Sequence, residues 1–471
     1  MSFGRWNIQG VETLFFLLLL FGLVLSWLSS VLIAPIGGLF AGGLLIVAII
    51  YISRHSIRHT QPLIWLSLLA ALAHIAFALY VIPFVNGYYE QRNASDVIIF
   101  FKNGQKLTEL VLSNPREAIT LFFQQAGLSN TAFFWVWGIF YFVTGGSLSA
   151  ITVLFGWFSV RGGLYFVQAF QPSLSDRQML WYAVLVLFFP SILLWTTMPL
   201  KDTLTFWSLG LVAYGVSLLL SWRLTRAGVT ILFGDLTCMA IRPYFLLFVT
   251  FSIIAIGILR IVGATRSKSY RRVVADMTIV PVNVFLAIFL VANNFFVGSL
   301  DLSYWVWYQN AAGNPTSGSA LPAPGFEATE GLSATEWLPT KVNLLLPSYI
   351  TTRLVYLFTV LFRPLPWEAH NIFALFASLE NVGLLILTVN TLFRFRTIID
   401  LMKSNLMWLF IFSFATLFVG VYSFQVLNLG TMARVKVNVL PFLFPFFALV
   451  FDNLQVMLIS RTHRDHSRLS K

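Results

Sequence analysis

The chain has 471 residues, of which 58% are hydrophobic and 10% charged, with 47 phenylalanines and a formal net charge of +12. A mean hydropathy of +0.81 excludes an ordinary soluble domain and makes a polytopic membrane protein the default. The single cysteine, Cys238, excludes an intrachain disulfide framework and a thiolate metal site.

A membrane-crossing helix needs roughly 20 apolar residues. The first such run, "VETLFFLLLLFGLVLSWLSS", passes directly into a second and lacks the small-residue context of a cleavage site, so it reads as a span rather than a removable signal. Spans are predicted near 11–29, 31–53, 62–85, 147–169, 179–198, 203–222, 243–262, 273–297, 369–391, 404–425 and 437–460. A further thin one lies in "RLTRAGVTILFGDLTCMAI", whose apolar part is short for an untilted crossing. The expectation is an all-α, polytopic transmembrane helical bundle of about twelve spans, a single integral membrane domain over residues 1–471.

Basic residues set its orientation, because loops on the cytoplasmic side carry an excess of Lys and Arg. With a cytoplasmic N-terminus the inner side collects Arg54, Arg58, Arg177, Arg223, Arg226, the "RSKSYRR" run at 266–272, Arg394, Arg396, Lys403 and the basic residues of a cytoplasmic tail at 461–471. The acidic residues there are only Asp176, Asp276, Asp400 and Asp465. Both termini are therefore expected inside. The positive charge reads as a topology signal facing anionic lipid, not as a nucleic-acid surface.

Two external segments exceed a turn. In 86–130, Val97, Phe100, Phe101, Leu107, Leu110 and Val111 fall mostly on one helical face, and Pro115 can open a second short helix with Ile119, Phe122 and Phe123. These are predicted to be interfacial helices. "NAS" at 93–95 fits the N-glycosylation pattern. The second segment, 298–340, is dominated by Gly, Pro, Ser and Ala and is expected to be a flexible external loop.

Charges from distant parts of the chain reach the same external level. Lys201 and Asp202 follow Pro199 at the outer turn of a helical hairpin, where Asp202 can cap the outgoing helix. Arg242 precedes Pro243, Arg363 and Glu368 stand in "FRPLPWEAH", Arg434 and Lys436 in "NLGTMARVKVNVLP", and Glu90 and Asp96 in the first external loop. Ionisable groups at membrane depth are costly, and several on one aqueous side line a cavity or pathway; the alternative for each is a snorkelling residue or a helix cap. Guanidinium forks match phosphate oxygens bidentately, so this set suits a diphosphate held near a group that must lose a proton. Tyr88, Tyr89, Trp305, Trp307, Tyr308, Trp337 and Trp367 could stack on sugar faces or form an interfacial aromatic belt. Glu380 and Asn381 lie midway along the span 369–391, either as functional groups or as a buried hydrogen bond to Asn293, Asn294 or His74. Asp235 in the thin span and Asp452 in the last are weaker candidates. Neither a GxxxxGK[ST] loop nor an HExxH pattern is present. Gly145-Gly146 and "RGG" at 161–163 read as close helix packing.

The acidic "YYEQRNASD" loop followed by two amphipathic helices resembles the first external loop of GT-C glycosyltransferases, membrane enzymes that use polyprenyl-phosphate-linked sugars. Those enzymes carry it after their first span; here two more precede it. The blocks "FFPSILLWTTMPLKDTLTFWSLG", "IRPYFLLF", "LFRPLPWEAHN" and "NLGTMARVKVNVLPF" resemble bacterial membrane proteins of exopolysaccharide and O-antigen assembly. The resemblance implies glycosyl transfer from a polyprenyl-(di)phosphate-linked donor to a glycan or lipid acceptor, at the outer face of the bacterial cytoplasmic membrane. It gives Asp96, with Glu90 second, the base role; Lys201, Arg242, Arg363 and Arg434 the phosphate role; and Asp202, Glu368, Lys436 and Glu380 supporting roles. It leaves a divalent metal open and assigns no residue to hold one. Its alternatives are an O-antigen or exopolysaccharide polymerase or ligase, and a lipid-linked sugar flippase or other transporter.

Overall fold

The computed structural model describes residues 61–90, 96–125, 127–267, 357–369, 372–422 and 429–451. The spans expected at 11–29, 31–53 and 273–297, the loop 298–340, the tail 461–471 and the "NAS" triplet lie outside the described residues. Every regular element among those described is helical. Five of the helices are long and apolar enough to cross a membrane, or up to eight if each bent pair is one span. The chain thus has the build of an all-α membrane protein. The described residues form two compact units. Unit 1 holds the chain up to Pro172, Met179–Gly215 and Val229–Arg242; unit 2 holds Ser173–Gln178, Val216–Gly228 and the chain from Pro243.

Unit 1 begins with α1 (Gln61–Ala76), a π turn at Phe77–Val81 and α2 (Ile82–Glu90). Pro83 explains the π turn: it has no N–H and its ring crowds the Leu79 carbonyl, so the ladder widens and Ile82 bonds back to the Phe77 carbonyl. Next come α3 (Asp96–Ser113), α4 (Pro115–Gln125) and α5 (Gly127–Val143). The apolar face of α3 packs on α5: Val97 and Leu107 are buried, Phe100 meets Phe133 edge-on, and Thr108 Oγ1 donates to the Gly138 carbonyl at 2.9 Å. The sequence reading assigns no element to 131–146, whereas the structure carries apolar α5 through most of it. Gly145 and Gly146 form the turn that follows, with φ of 61° and 80°. Conformational freedom, rather than close packing, is what the chain uses there.

Helices α6 (Leu148–Phe170), α7 (Asp176–Phe188), α8 (Pro190–Thr197), α9 (Lys201–Leu220) and α10 (Leu224–Ile241) follow. Pro190 at the start of α8 breaks the run and bends α7 from α8 by 46°. Helices α6 and α9 cross with their backbones nearly touching. A Cβ on Gly162 would lie 2.8 Å from the Trp207 Cα, and one on Gly210 would lie 2.6 Å from the Gly162 carbonyl oxygen. Only glycine permits that approach, the usual device for packing helices where solvent does not drive them together.

Unit 2 contains α11 (Tyr244–Ser267), helical residues 357–362, a 3₁₀ turn (Pro366–Glu368), α12 (Ile372–Leu392), α13 (Phe395–Ser404), α14 (Leu406–Tyr422), α15 (Leu429–Val435), a second 3₁₀ turn (Lys436–Asn438) and α16 (Leu440–Phe451). Aromatic contacts hold its core. Phe245 and Phe248 of α11 pack on Phe414 and Phe418 of α14, Phe414 stacks on Phe442 of α16, and Tyr422 donates to the Tyr244 hydroxyl at 2.9 Å.

Candidate functional site: two buried charge clusters

In unit 1, helices α9 and α10 form an antiparallel hairpin whose open end carries the charge. Asp202 lies in the first turn of α9, where the helix dipole favours a carboxylate. Arg242 directly follows α10, because Pro243 cannot continue the helix. Its Nη2 donates to Asp202 Oδ1 at 2.7 Å, and Asp202 is wholly buried. Lys201 and Asp202, adjacent in sequence, differ in placement: Asp202 turns inward onto Arg242, while Lys201 is half-buried at the helix start. Deeper along the same seam, Ser208 Oγ lies 2.9 Å from Cys238 Sγ. One turn further, Asp235 is buried, and neither of its oxygens has a hydrogen-bond partner among the described residues.

Unit 1 holds two other polar groups inside its helices. His74 Nδ1 is 2.9 Å from the Ala70 carbonyl, which fixes the proton on that nitrogen and leaves Nε2 to accept from Ser159 Oγ at 2.8 Å. Ser159 is bonded in turn to Thr196. His74 is therefore engaged within its own unit. Arg161, in the middle of α6, lies over the Tyr165 ring at 4.3 Å, and Tyr165 stacks on Tyr214 of α9. The sequence reading takes "RGG" at 161–163 as close helix packing, as Gly162 shows, and gives the arginine no role of its own; its signal is a lone cation inside an apolar 23-residue helix.

In unit 2 three segments converge. Arg363 Nε donates to both oxygens of Glu368 at 2.9 and 3.1 Å, and Nη2 reaches Oε1 at 2.7 Å. Glu368 Oε2 also accepts from the Leu365 N–H at 2.8 Å, so the "FRPLPWE" loop closes on itself. Its Pro364 carbonyl accepts from Asn381 Nδ2 at 2.9 Å. Asn381 Oδ1 takes a hydrogen bond from Lys436 Nζ, which stands 3.5 Å from Glu380 Oε1. Arg363, Asn381 and Lys436 are buried, and Arg434, two residues before Lys436, is half-buried. One continuous network therefore links Glu368, Arg363, Asn381, Lys436 and Glu380.

The depth of Lys436 differs from the sequence reading. Glu380 and Asn381 lie about 12 Å along α12 from its first residue, at 1.5 Å per residue, so Lys436 sits beside the middle of a candidate span. The chain reaches that depth because the predicted span 437–460 is broken. Residues Met432–Asn438 and Leu440–Phe451 meet at 72°, with the Lys436–Asn438 turn at the break and Pro441 in the first turn of the restarted helix. Irregular backbone at such depth is tolerated where protein buries it or where it lines a cavity, and broken helices of this kind mark substrate sites in membrane proteins.

Glu90 closes α2 and Asp96 opens α3, both exposed in unit 1; residues 91–95 between them lie outside the described residues. Trp367 is 77% exposed beside Glu368, and Tyr88 is half-buried, whereas Trp305, Trp307, Tyr308 and Trp337 lie outside the described residues, as do Asn293 and Asn294. Among the described residues, no three His, Cys, Asp or Glu side chains group as a metal site. No protein-family model, curated protein or solved structure matches the chain.

Proposed function

We propose that the unit 2 network binds the diphosphate of a polyprenyl-linked sugar and that the chain transfers the sugar to a glycan or lipid acceptor. The setting proposed is the outer face of a bacterial cytoplasmic membrane crossed about twelve times, with both termini inside and α3 and α4 at the interface. The observation that carries the reading is the network that joins Arg363 and Lys436 through the Pro364 carbonyl and Asn381 at a helix break, with Glu368 and Glu380 as its carboxylates among the described residues. Glu368 fixes Arg363 through Nε and one Nη2 proton, so the Nη1 edge of the fork stays oriented for a second anion. Preoriented cations in a dry site stabilise the charge that develops on a departing diphosphate. Exposed Trp367 supplies an aromatic face for a sugar ring. The deprotonation that the acceptor hydroxyl requires is proposed for Asp96, with Glu90 second, on the sequence resemblance.

The test is release of polyprenyl phosphate or diphosphate by purified protein given a lipid-linked donor and an acceptor. Asp96→Asn should abolish release if the chemistry is GT-C-like, and a polymerase or ligase should tolerate it. A flippase is the second reading, favoured by the Lys436–Glu380 pair at mid-span depth. Movement of the intact lipid-linked sugar, abolished by Glu380→Gln and untouched by Asp96→Asn, with no bond made, would replace transfer by transport.

A further inference from the structure

Helix α13 (Phe395–Ser404) lies between two strongly apolar helices, α12 and α14, and is unlike both. Its sequence "FRTIIDLMKS" sets Phe395, Ile398, Ile399 and Met402 at the i, i+3, i+4, i+7 spacing of one face and Arg396, Thr397, Asp400 and Lys403 on the other. At ten residues it is too short to span, and α14 leaves it at 120°. Its position is fixed at both ends. Arg394 Nη1 donates to the Leu449 carbonyl at 3.3 Å; Asn405 Nδ2 donates to Ser173 Oγ at 2.9 Å, and its Oδ1 caps the Met407 N–H at 2.9 Å.

A helix held this firmly still leaves part of its apolar face, and the turn before it, uncovered, with Ile398 and Met402 half-buried. Phe393 is 82% exposed and Phe395 53%, with Leu392 and Ile399 also exposed. Water is a poor neighbour for that strip, and the residues beside it say what covers it. Arg396 and Lys403 are exposed, and Asp400, the one acidic group of the helix, is already 3.8 Å from Lys403. With Arg394 the segment carries three basic groups to one acidic. The Arg396 guanidinium lies 6.0 Å from the centre of the Phe395 ring, at the boundary of the two faces.

We propose that α13 lies in the plane of the membrane surface and binds anionic phospholipid headgroups. Its Phe393, Phe395 and Ile399 side enters the acyl boundary while Arg394, Arg396 and Lys403 meet the phosphates. An amphipathic helix with a cationic polar face binds in this way, by buried apolar area together with attraction to anionic lipid. Because α13 joins α12, which carries Glu380 and Asn381, to the rest of unit 2, its seating fixes the level at which that helix meets the headgroups. The inference holds whether the chain transfers a sugar or transports it.

The test uses the full chain in nanodiscs of phosphatidylcholine with and without phosphatidylglycerol. A fluorophore on Ile399→Cys, in a Cys238→Ser background, should be quenched by lipids brominated along the acyl chain. Lipid retained through purification should favour phosphatidylglycerol, and each basic residue removed should lower that preference by about fivefold, the equivalent of about 1 kcal/mol per residue near an anionic surface. Arg396→Gln with Lys403→Gln removes charge without reversing it, and a matching melting temperature in phosphatidylcholine checks that the variant is folded. Absence of quenching, a fluorophore shielded by a second protein chain, or equal retention of both lipids before and after substitution would overturn the proposal.

Discussion

Arg242 and Arg363 both stand immediately before a proline, both are nearly buried, and both hold a carboxylate oxygen at 2.7 Å. Their surroundings separate them. Arg242 takes Asp202 from the other arm of the same hairpin, forty residues earlier. Arg363 takes Glu368 from its own loop, and from there the bonding runs through the Pro364 carbonyl and Asn381 to Lys436, drawing in two further segments at a break in a helix. The first arrangement clasps two neighbouring helices at the end where they could splay. The second brings Arg363 and Lys436 together from distant parts of the chain in one network at a helix break, the arrangement proposed to hold an anionic ligand. The same dipeptide, Arg-Pro, is proposed to clasp a hairpin in one unit and to serve a ligand in the other.

The largest expected effect breaks the clasp. Asp202→Ala leaves the Arg242 guanidinium buried without its carboxylate, and removing one partner of a buried pair costs about 3–5 kcal/mol. Thermal unfolding in detergent should show the loss, with activity falling only as the folded fraction falls. Asp202→Leu combined with Arg242→Met should recover the stability, since well-packed apolar residues replace a buried pair at little cost. Failure of the double variant to recover, or loss of activity in folded double variant, would move the hairpin pair into the ligand site.

Arg363→Ala should act the other way round. Losing a charged hydrogen bond costs on the order of 1.5–3 kcal/mol; if it is made in the transition state, the rate falls roughly tenfold to two-hundredfold. Arg363→Lys should rescue only part of that, because an ammonium lacks the bidentate fork. A smaller loss, about 1–3 kcal/mol of stability, is expected for Gly162→Val, which forces α6 off α9. It should leave ligand affinity of the folded protein unchanged. The smallest effect belongs to Trp367→Ala. Its indole is 77% exposed, so stability should hold while affinity for the sugar part drops by no more than about tenfold, the upper end of what one aromatic contact contributes.

Much of this was legible in the sequence where a pattern is local. Apolar length marks the run from α1 through α2, and α6, α9 and α12, as candidate spans, with α10 a thin one, and proline marks the start of α9 and the end of α10, whereas the expected span 179–198 hides the bend at Pro190. The sequence brings Arg363 and Glu368 into view together because five residues separate them. Partner choice across helices is a different matter. Nothing in "ASLENVGLL" says that Asn381 and Glu380 meet Lys436, because the hydropathy of 437–460 hides a break that only Asn438 and Pro441 betray. In the sequence Asp202 reads as a helix cap, because its neighbours are a proline and a helix and its arginine arrives forty residues later. Helix α5 was hidden by its polar first turn, "GLSN", and α13 by charges that also mark a cytoplasmic loop.

Binding of a polyprenyl diphosphate to the purified chain, measured side by side for the wild type, Arg363→Ala and the Asp202→Leu/Arg242→Met double variant, tests the contrast between the two clusters most directly. Arg363→Ala should weaken binding at least tenfold while the double variant binds as the wild type does. Equal affinity for wild type and Arg363→Ala, or a loss confined to the double variant, would contradict that contrast.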